Sequence, residues 1–389
     1  MGFFDALAAV EQEREEDVPN PLRDATRDKK SFGHGQGYLY PHSYREHWVA
    51  QQYLPSGLQG QVFYDPSNQG YEDAIRVQVA RRREAQLAAM VDGGGALPET
   101  LTYSPNDPAR ERWLQRTLSQ VGEQMGAVRD RIFTLATPQR HHLILDLNAR
   151  TGLLTWEAVR QVPEGGVYAR VQTEQDQAAL TEQAARLPQL SRPIVFQASL
   201  QALPDVLNQL TPGIHFDWIV GRNVLGSEAD KVSLLALLKS LLNTGGSLVL
   251  AESIPRYTQR ISDLVQPESL EADLLAKWQQ AEAAIFEDEN SPLFNWDEEE
   301  VRSHFTSSGF TLDLQTETVK TNLLITPQLL NRWFSTQATT TGQLSYQEQL
   351  SKHLTKSEVQ KVQKVCDRTL QNQTVHWHSR VAYLRAFLG

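Results

Sequence analysis

Few positions in this chain combine a reactive residue type with a neighbourhood that would let it act. Arg222 and Asn223 follow the apolar run Phe216-Asp-Trp-Ile-Val220, at the end of an expected strand, where a ligand crevice would meet them. Asp217, inside that run, reads as a strand residue pairing locally rather than as a catalytic acid. Cys366 is the single thiol. As a nucleophile it would need an activating partner, and none is evident, so it reads as a buried structural residue. His376-Trp-His378 puts two imidazoles on one face of a strand without a third ligand, and the stretch reads as an aromatic anchor. His34, His42 and His47 have neither a cysteine nor the short ligand spacing of a zinc site, and read as structural. No G-x-x-x-x-G-K followed by Ser or Thr occurs, so there is no phosphate-cradling loop. Without one, Asp205 and Glu252 cannot be argued as metal-holding carboxylates, and this chain is not expected to hydrolyse ATP.

Composition bounds the class. A chain of 389 residues is long enough for two or three domains, and 40% apolar with 22% charged residues is ordinary for a soluble globular protein. No stretch approaches the ~20 apolar residues of a membrane span. The N-terminal apolar run is followed by acidic residues, the wrong order for a secretory signal, so a cytoplasmic location without membrane contact is expected. One cysteine excludes an internal disulfide framework and a multi-thiolate zinc site, and no metal is expected. The net charge of −10 argues against a strongly basic nucleic-acid binder. Charge is unevenly placed, with Arg76, Arg81, Arg82 and Arg83 near one helix end and eight carboxylates without Lys or Arg between Trp278 and Val301. That acidic run reads as a solvated surface.

Two polar breaks divide the chain, Val91-Asp-Gly-Gly-Gly-Ala-Leu-Pro98 and Ser335-Thr-Gln-Ala-Thr-Thr-Thr-Gly342. Before the first, helices are expected at residues 3–13 and from Tyr71 to Met90, around an irregular Gly-, Pro-, His- and Tyr-rich segment. After it, Asn106-Asp107-Pro108 starts a helix whose stripe of Leu114, Leu118, Val121, Met125, Val128, Ile132 and Leu135 suits a coiled coil or packing on a sheet. Gly122 and Gly126 weaken the coiled-coil alternative. From His142 the pattern alternates. Strands are expected at 142–147, 166–171, 193–196, 216–220 and 246–251, with helices at 153–161, 176–187 and 231–242. Continuous apolar strands separated by helices predict an α/β domain with a doubly wound, mostly parallel sheet, its ligands beyond the carboxyl ends of the strands.

Val18-Pro-Asn-Pro-Leu-Arg-Asp24, Gly33-His-Gly-Gln-Gly-Tyr-Leu-Tyr-Pro-His42, Gln52-Tyr-Leu-Pro55, Phe63-Tyr-Asp-Pro66 and Gly70-Tyr-Glu72 occur in order within residues 1–85. This stretch resembles the C-terminal region of the replication-associated recombination protein A family of AAA+ ATPases, related to the Werner-helicase-interacting protein. The resemblance implies a small helical domain that holds subunits in a tetramer, and partners among replication-fork proteins or an ATPase subunit, with any DNA contact indirect. Tyr38, Tyr40, Trp48, Tyr53, Phe63 and Tyr64 supply aromatics for a small core or an interface. An aromatic and basic surface also suits single-stranded nucleic acid.

Leu145-Asp-Leu-Asn-Ala-Arg-Thr-Gly-Leu-Leu154 is similar to the first motif of class I S-adenosylmethionine-dependent methyltransferases, in which three alternating glycines follow an acidic residue. Asp146 and Gly152 remain, and Asn148 and Arg150 occupy the first two glycine positions. The resemblance implies S-adenosylmethionine as cofactor, with Asp146, Asn148, Arg150, Gly152, Gln172, Ser199, Arg222 and Asn223 as the residues facing it. The carboxylate usual at the end of strand two is replaced within Arg170-Val-Gln-Thr173, and the one after strand three by Ser199. Each lost charge-assisted contact costs ~1.5–3 kcal/mol. Together they amount to a ~10²–10⁴ loss of affinity. Arg222-Asn-Val-Leu225, Gly245-Gly246 and Gly309-Phe310 match architectural turns of the same fold.

The resulting expectation is a helical oligomerisation domain over residues 1–90, a linker over 91–107, a methyltransferase-like domain over 108–335, and an extension over 336–389 packed on it. The function expected is assembly in replication-fork maintenance with a degenerate methyltransferase-like domain. The alternative is an active methyltransferase with an atypical cofactor loop. A dinucleotide oxidoreductase fits less well, since its Gly-rich turn is even less satisfied. Residues 1–90 are predicted to self-associate; light scattering that finds a monomer at tens of micromolar would oppose this.

Overall fold

The computed structural model describes residues 63–92, 108–334 and 345–388. The helix expected at 3–13, the Gly- and Tyr-rich segment with its histidines, and the loop Ser335–Gly342 lie outside them. The chain divides into two compact units: Met1–Gly126 with Asn322–Leu329 and Asn372–Thr374, and the remainder.

In the first unit, helix α1 (Gly70–Asp92) starts at the expected place. Glu72 in its first turn accepts a hydrogen bond from the Ser67 backbone N–H at 2.9 Å and one from the Tyr64 hydroxyl at 3.2 Å. Both contacts tie the entering chain to the helix start, where a carboxylate also meets the positive end of the helix dipole. Ala85, Ala88 and Ala89 are buried, an i, i+3, i+4 pattern that places small side chains on one face. Helix α2 (Pro108–Ala136) begins at the proline expected to open it. Beyond Gly126 its Val128, Ile132, Phe133 and Ala136 are buried in the second unit.

The second unit is built on a seven-stranded sheet in the order β3-β2-β1-β4-β5-β7-β6, of which only residues 322–324 and 374 fall in the first unit. The strands are β1 (Leu143–Asp146), β2 (Gly166–Val171), β3 (Ile194–Gln197), β4 (Phe216–Arg222), β5 (Leu242–Ser253), β6 (Phe310–Leu324) and β7 (Thr374–Leu388). The first five run parallel, with Leu145 opposite both Tyr168 and Ile219. Helices α3 (Leu153–Gln161), α4 (Glu174–Ala185), α5 (Leu203–Leu210) and α6 (Lys231–Ser240) connect them. Parallel strands need crossovers, and crossovers cover both faces, which is why these strands are apolar without alternation. Leu145, Phe216, Ile219, Leu235, Leu248 and Leu384 belong to one buried core. The fold is therefore α/β, doubly wound and mostly parallel, as the sequence pattern predicted.

Gly246 shows how closely the strands approach: a Cβ there would lie 2.8 Å from the Phe216 carbonyl oxygen. Gly245 before it takes φ 79°, a turn that L side chains resist.

Residues 374–388, expected within an extension packed on the domain, form a strand inside the sheet. β7 pairs antiparallel with β5, with Leu384 opposite Leu250 and Ala382 opposite Glu252. Its signal is split in sequence: Thr374–Ser379 alternates exposed polar residues with the half-buried Val375, Trp377 and Ser379, and only Ala382, Tyr383, Leu384 and Ala386 are buried. The remaining helices are α7 (Ala272–Phe286), α8 (Glu298–Ser307) and α11 (Lys356–Thr369), with the short α9 (Pro327–Trp333) and α10 (Tyr346–Leu350) between β6 and α11. Asp297, Ser345 and Thr355 start α8, α10 and α11 with reciprocal capping boxes.

The expected acidic surface needs one correction. Glu282 is fully buried, accepting from the Ile261 and Ser262 N–H groups at 3.0 Å each and from the Tyr346 hydroxyl at 2.7 Å. A charge inside a helix's apolar face is tolerable when so many donors meet it. Tyr346 in turn accepts from Trp278 Nε1 at 2.7 Å, so one buried carboxylate ties α7 to α10.

Because β7 sits between β5 and β6, Leu384→Ala is expected to cost ~2–5 kcal/mol through lost burial and a residual cavity. Chemical denaturation checks this; a change within ~0.5 kcal/mol would mean the strand is dispensable.

Candidate functional site

Doubly wound sheets present ligands at the carboxyl ends of their strands, near the point where strand order reverses. Here that point lies between β1 and β4, and every rim residue singled out from the sequence is near it or on the neighbouring strand ends.

Asp146 closes β1 and is completely buried. Its Oδ1 accepts from the Asn148 N–H at 3.1 Å and its Oδ2 from the Thr155 hydroxyl at 2.7 Å. Burial raises its pKa to about 6, opposed by those hydrogen bonds and by the charge of Arg222. The carboxylate thus holds its own loop against the start of α3. Gly152 within that loop takes φ 81°, and a Cβ there would meet the Trp156 ring at 2.1 Å, so the retained glycine is required by packing. Arg150 adopts φ 26° and its side chain is exposed. The backbone keeps a left-handed turn at a position where the resembling motif uses glycine.

Asn148 bridges the crevice: its Nδ2 donates to the Arg222 carbonyl at 2.9 Å, joining the β1 loop to the end of β4. On the other side, Arg170 in β2 is buried, donating from Nε to the Ala198 carbonyl at 2.7 Å and from Nη1 to the Leu147 carbonyl at 3.0 Å. One guanidinium therefore spans the ends of β1, β2 and β3. Burial lowers its pKa, and the carboxylates of Glu228 and Asp146 oppose that shift. Gln172 and Ser199 are exposed. The Gln172 carbonyl accepts from Gln197 Nε2 at 3.1 Å, and Ser199 Oγ accepts from the Ala202 N–H at 3.1 Å.

At the β4 end Asn223 takes φ 51°; its N–H donates to the Ala251 carbonyl and its Oδ1 accepts from the Ser253 N–H, both at 2.9 Å. Glu252 of β5 is buried and receives the N–H groups of Val224 at 2.7 Å and Leu225 at 3.0 Å. Burial pushes its pKa up to about 7, against those bonds, one from Gly226 and the charge of Arg222. Lys231, buried at the start of α6, directs its ammonium to the Glu228 and Pro292 carbonyls and to Asn295 Oδ1, each at 3.0 Å.

An adenosyl cofactor on this rim needs a carboxylate for the ribose hydroxyls, space above the β1 loop, and a polar group for the adenine. At the end of β2, where the resembling family places one, Arg170-Val-Gln-Thr173 holds no carboxylate. Above the β1 loop, the Asn148 amide is engaged with the Arg222 carbonyl. Two hollows among the described residues are lined by other side chains. One, of about 30 Å³, is bordered by Val159, Val162 and Leu190. The other, of about 250 Å³, is bordered by Ile285, Asp288, Gln349 and His353.

Sequence reasoning did not single out Arg170 as a bridge or Glu252 as a loop anchor. Their signal was present: each is a charge inside an otherwise apolar, buried run, Gly166-Val-Tyr-Ala-Arg-Val171 and Ser247-Leu-Val-Leu-Ala-Glu252. Such a charge has to be paired where it lies. Asp217 does pair locally, accepting from the Leu143 N–H at 2.7 Å and from Asn243 Nδ2 at 2.9 Å. Cys366 is buried, and burial raises its thiol pKa well above the ordinary range. His376 and His378 are exposed, while Trp377 between them stacks on Trp333 with ring centroids 6.0 Å apart. Among the described residues no group of three or more His, Cys, Asp or Glu is placed to hold a metal ion. No helix of the described residues is long and apolar enough to cross a membrane.

The second unit is an α/β domain with a doubly wound, mostly parallel sheet, and solved structures similar to this chain include methyltransferases. The YcgJ protein from Bacillus subtilis is 12% identical, covers 67% of this chain and 98% of its own, and gives a TM-score of 0.41. Phosphoethanolamine N-methyltransferase 2 of Haemonchus contortus, solved with S-adenosyl-L-methionine, is 11% identical, covers 68% of this chain and 52% of its own, with a TM-score of 0.37. Residues 1–83 match the family described as MgsA AAA+ ATPase C terminal. Over 78 residues the chain is 39% identical to replication-associated recombination protein A of Bacillus subtilis (strain 168), a stretch that is 20% of this chain and 18% of that protein.

The buried carboxylate of Glu252 has a measurable consequence. Its pKa rises from 4.5 to about 7 on folding, so the folded protein holds the proton more tightly than the unfolded chain. Unfolding releases that proton across the window, and stability falls as pH rises from 4.5 to about 7. Glu252→Gln removes this titration. The stability of wild type relative to the variant should therefore decline over that range in thermal melts, and a flat difference would count against the assignment.

Proposed function

We propose that this chain is an assembly and interaction module in replication-fork maintenance and recombination. In this reading residues 1–90 oligomerise, as a tetramer by resemblance, and bring together replication-fork proteins or an AAA+ ATPase subunit. The methyltransferase-like domain is degenerate and serves as a partner-binding platform in the cytoplasm, with DNA engaged indirectly. The observation that carries the reading is the match of residues 1–83 to the MgsA C-terminal family in a chain that has no phosphate-cradling loop. The Bacillus subtilis protein matched over that stretch is named for replication-associated recombination. The second half of the proposal is supported by the rim, where Arg170 and Asn148 bond to main-chain carbonyls on the ground a methyl donor would need.

The alternative, an active S-adenosylmethionine-dependent methyltransferase with an atypical loop, is favoured by two observations. Asp146 and Gly152 stand in place, and Arg150 preserves a left-handed turn. In that case Asp146, Asn148, Arg150, Gly152, Gln172, Ser199, Arg222 and Asn223 would face the cofactor. Titration calorimetry of the full chain with S-adenosylmethionine separates the two. No heat at millimolar ligand is expected; micromolar binding would reverse the order of the readings.

A further inference from the structure

We infer that Arg170 and Asn148 are occluding residues: with their own side chains they make the rim contacts that a bound ligand would otherwise make, and so keep a latent adenosyl-ligand crevice shut. The inference rests on the reading of the domain as degenerate and says what makes it so.

The argument begins with main-chain groups. At the carboxyl ends of a parallel sheet the last carbonyls have no further strand to bond, and buried ones need a donor. Three such carbonyls, those of Leu147, Ala198 and Arg222, lie along the ends of β1, β3 and β4. Each is met by a side-chain donor: Leu147 and Ala198 by the two nitrogens of Arg170 at 3.0 and 2.7 Å, and Arg222 by Asn148 at 2.9 Å. Removing both side chains leaves a row of acceptors beside the buried carboxylate of Asp146. Ribose hydroxyls and amino groups are donors and suit that row. Arg170 also brings a fixed positive charge alongside Asp146 and Glu228, so its loss returns negative potential to the rim and favours a cationic or donor-rich ligand. The backbone needed for close approach is already formed, since Arg150 and Gly152 both hold left-handed turns.

The test is calorimetric titration of the full chain carrying Asn148→Gly and Arg170→Ala with S-adenosylhomocysteine and S-adenosylmethionine, beside wild type. The double variant is expected to bind at least tenfold more tightly than wild type to both ligands. A variant that unfolds cooperatively, with wild-type far-UV circular dichroism, yet gains no affinity overturns the inference. Should Arg170→Ala abolish cooperative unfolding, Asn148→Gly alone, which keeps the arginine bridge, is expected to give binding heat at millimolar ligand where wild type gives none, and no heat overturns the inference equally. The two readings fail differently. Micromolar binding by wild type sinks the degenerate domain itself, whereas a silent wild type with a silent folded variant sinks only the occlusion.

Discussion

Main-chain carbonyls and N–H groups left over where parallel strands end must find partners, and the architecture of the second unit depends on how that need is met. In this protein the partners are side chains of the neighbouring strand ends. Asn148 joins the β1 loop to β4, Arg170 joins β2 to β1 and β3, Asn223 joins β4 to β5, and Glu252 holds the loop after β4. The rim is continuous from β3 to β5 and is held by bonds of 2.7–3.0 Å.

These bonds are made by groups that are costly to bury. An arginine, an aspartate and a glutamate lie almost wholly out of water at one end of the sheet. Each is offset by two or more hydrogen bonds and by opposite charges close by, Arg170 by Asp146 and Glu228, and Asp146 and Glu252 by Arg222. Buried ionic groups of this kind add little net stability over an apolar core but are strongly destabilising to break singly. They therefore fix one arrangement of the rim. The same device recurs at Glu282, where a buried carboxylate receives two backbone N–H groups and a tyrosine hydroxyl.

The first 83 residues match the family described as MgsA AAA+ ATPase C terminal, and the second unit is a large α/β body. The order of the sheet also explains why the C-terminal segment is part of that unit: β7 covers β5 on the side away from β4, so the parallel core has no free edge there.

The sequence by itself determined the α/β alternation, because buried parallel strands must be apolar throughout and their helices must be amphipathic. Helix 153–161 and strand 166–171 were legible to the residue for that reason. It also determined the resemblance of the first 83 residues, which is carried by ordered local motifs. Tertiary structure alone decided what the rim residues do. Arg170 and Glu252 look in sequence like isolated charges in apolar runs, and their partners, Leu147, Ala198, Val224 and Leu225, are 23 to 28 positions away. It alone placed β7 within the sheet, since a half-polar strand bonds through its backbone and its pairing partner is more than a hundred residues distant. Sequence pattern reports which side chains avoid water; which backbone group each polar side chain reaches depends on strands brought together only by the fold.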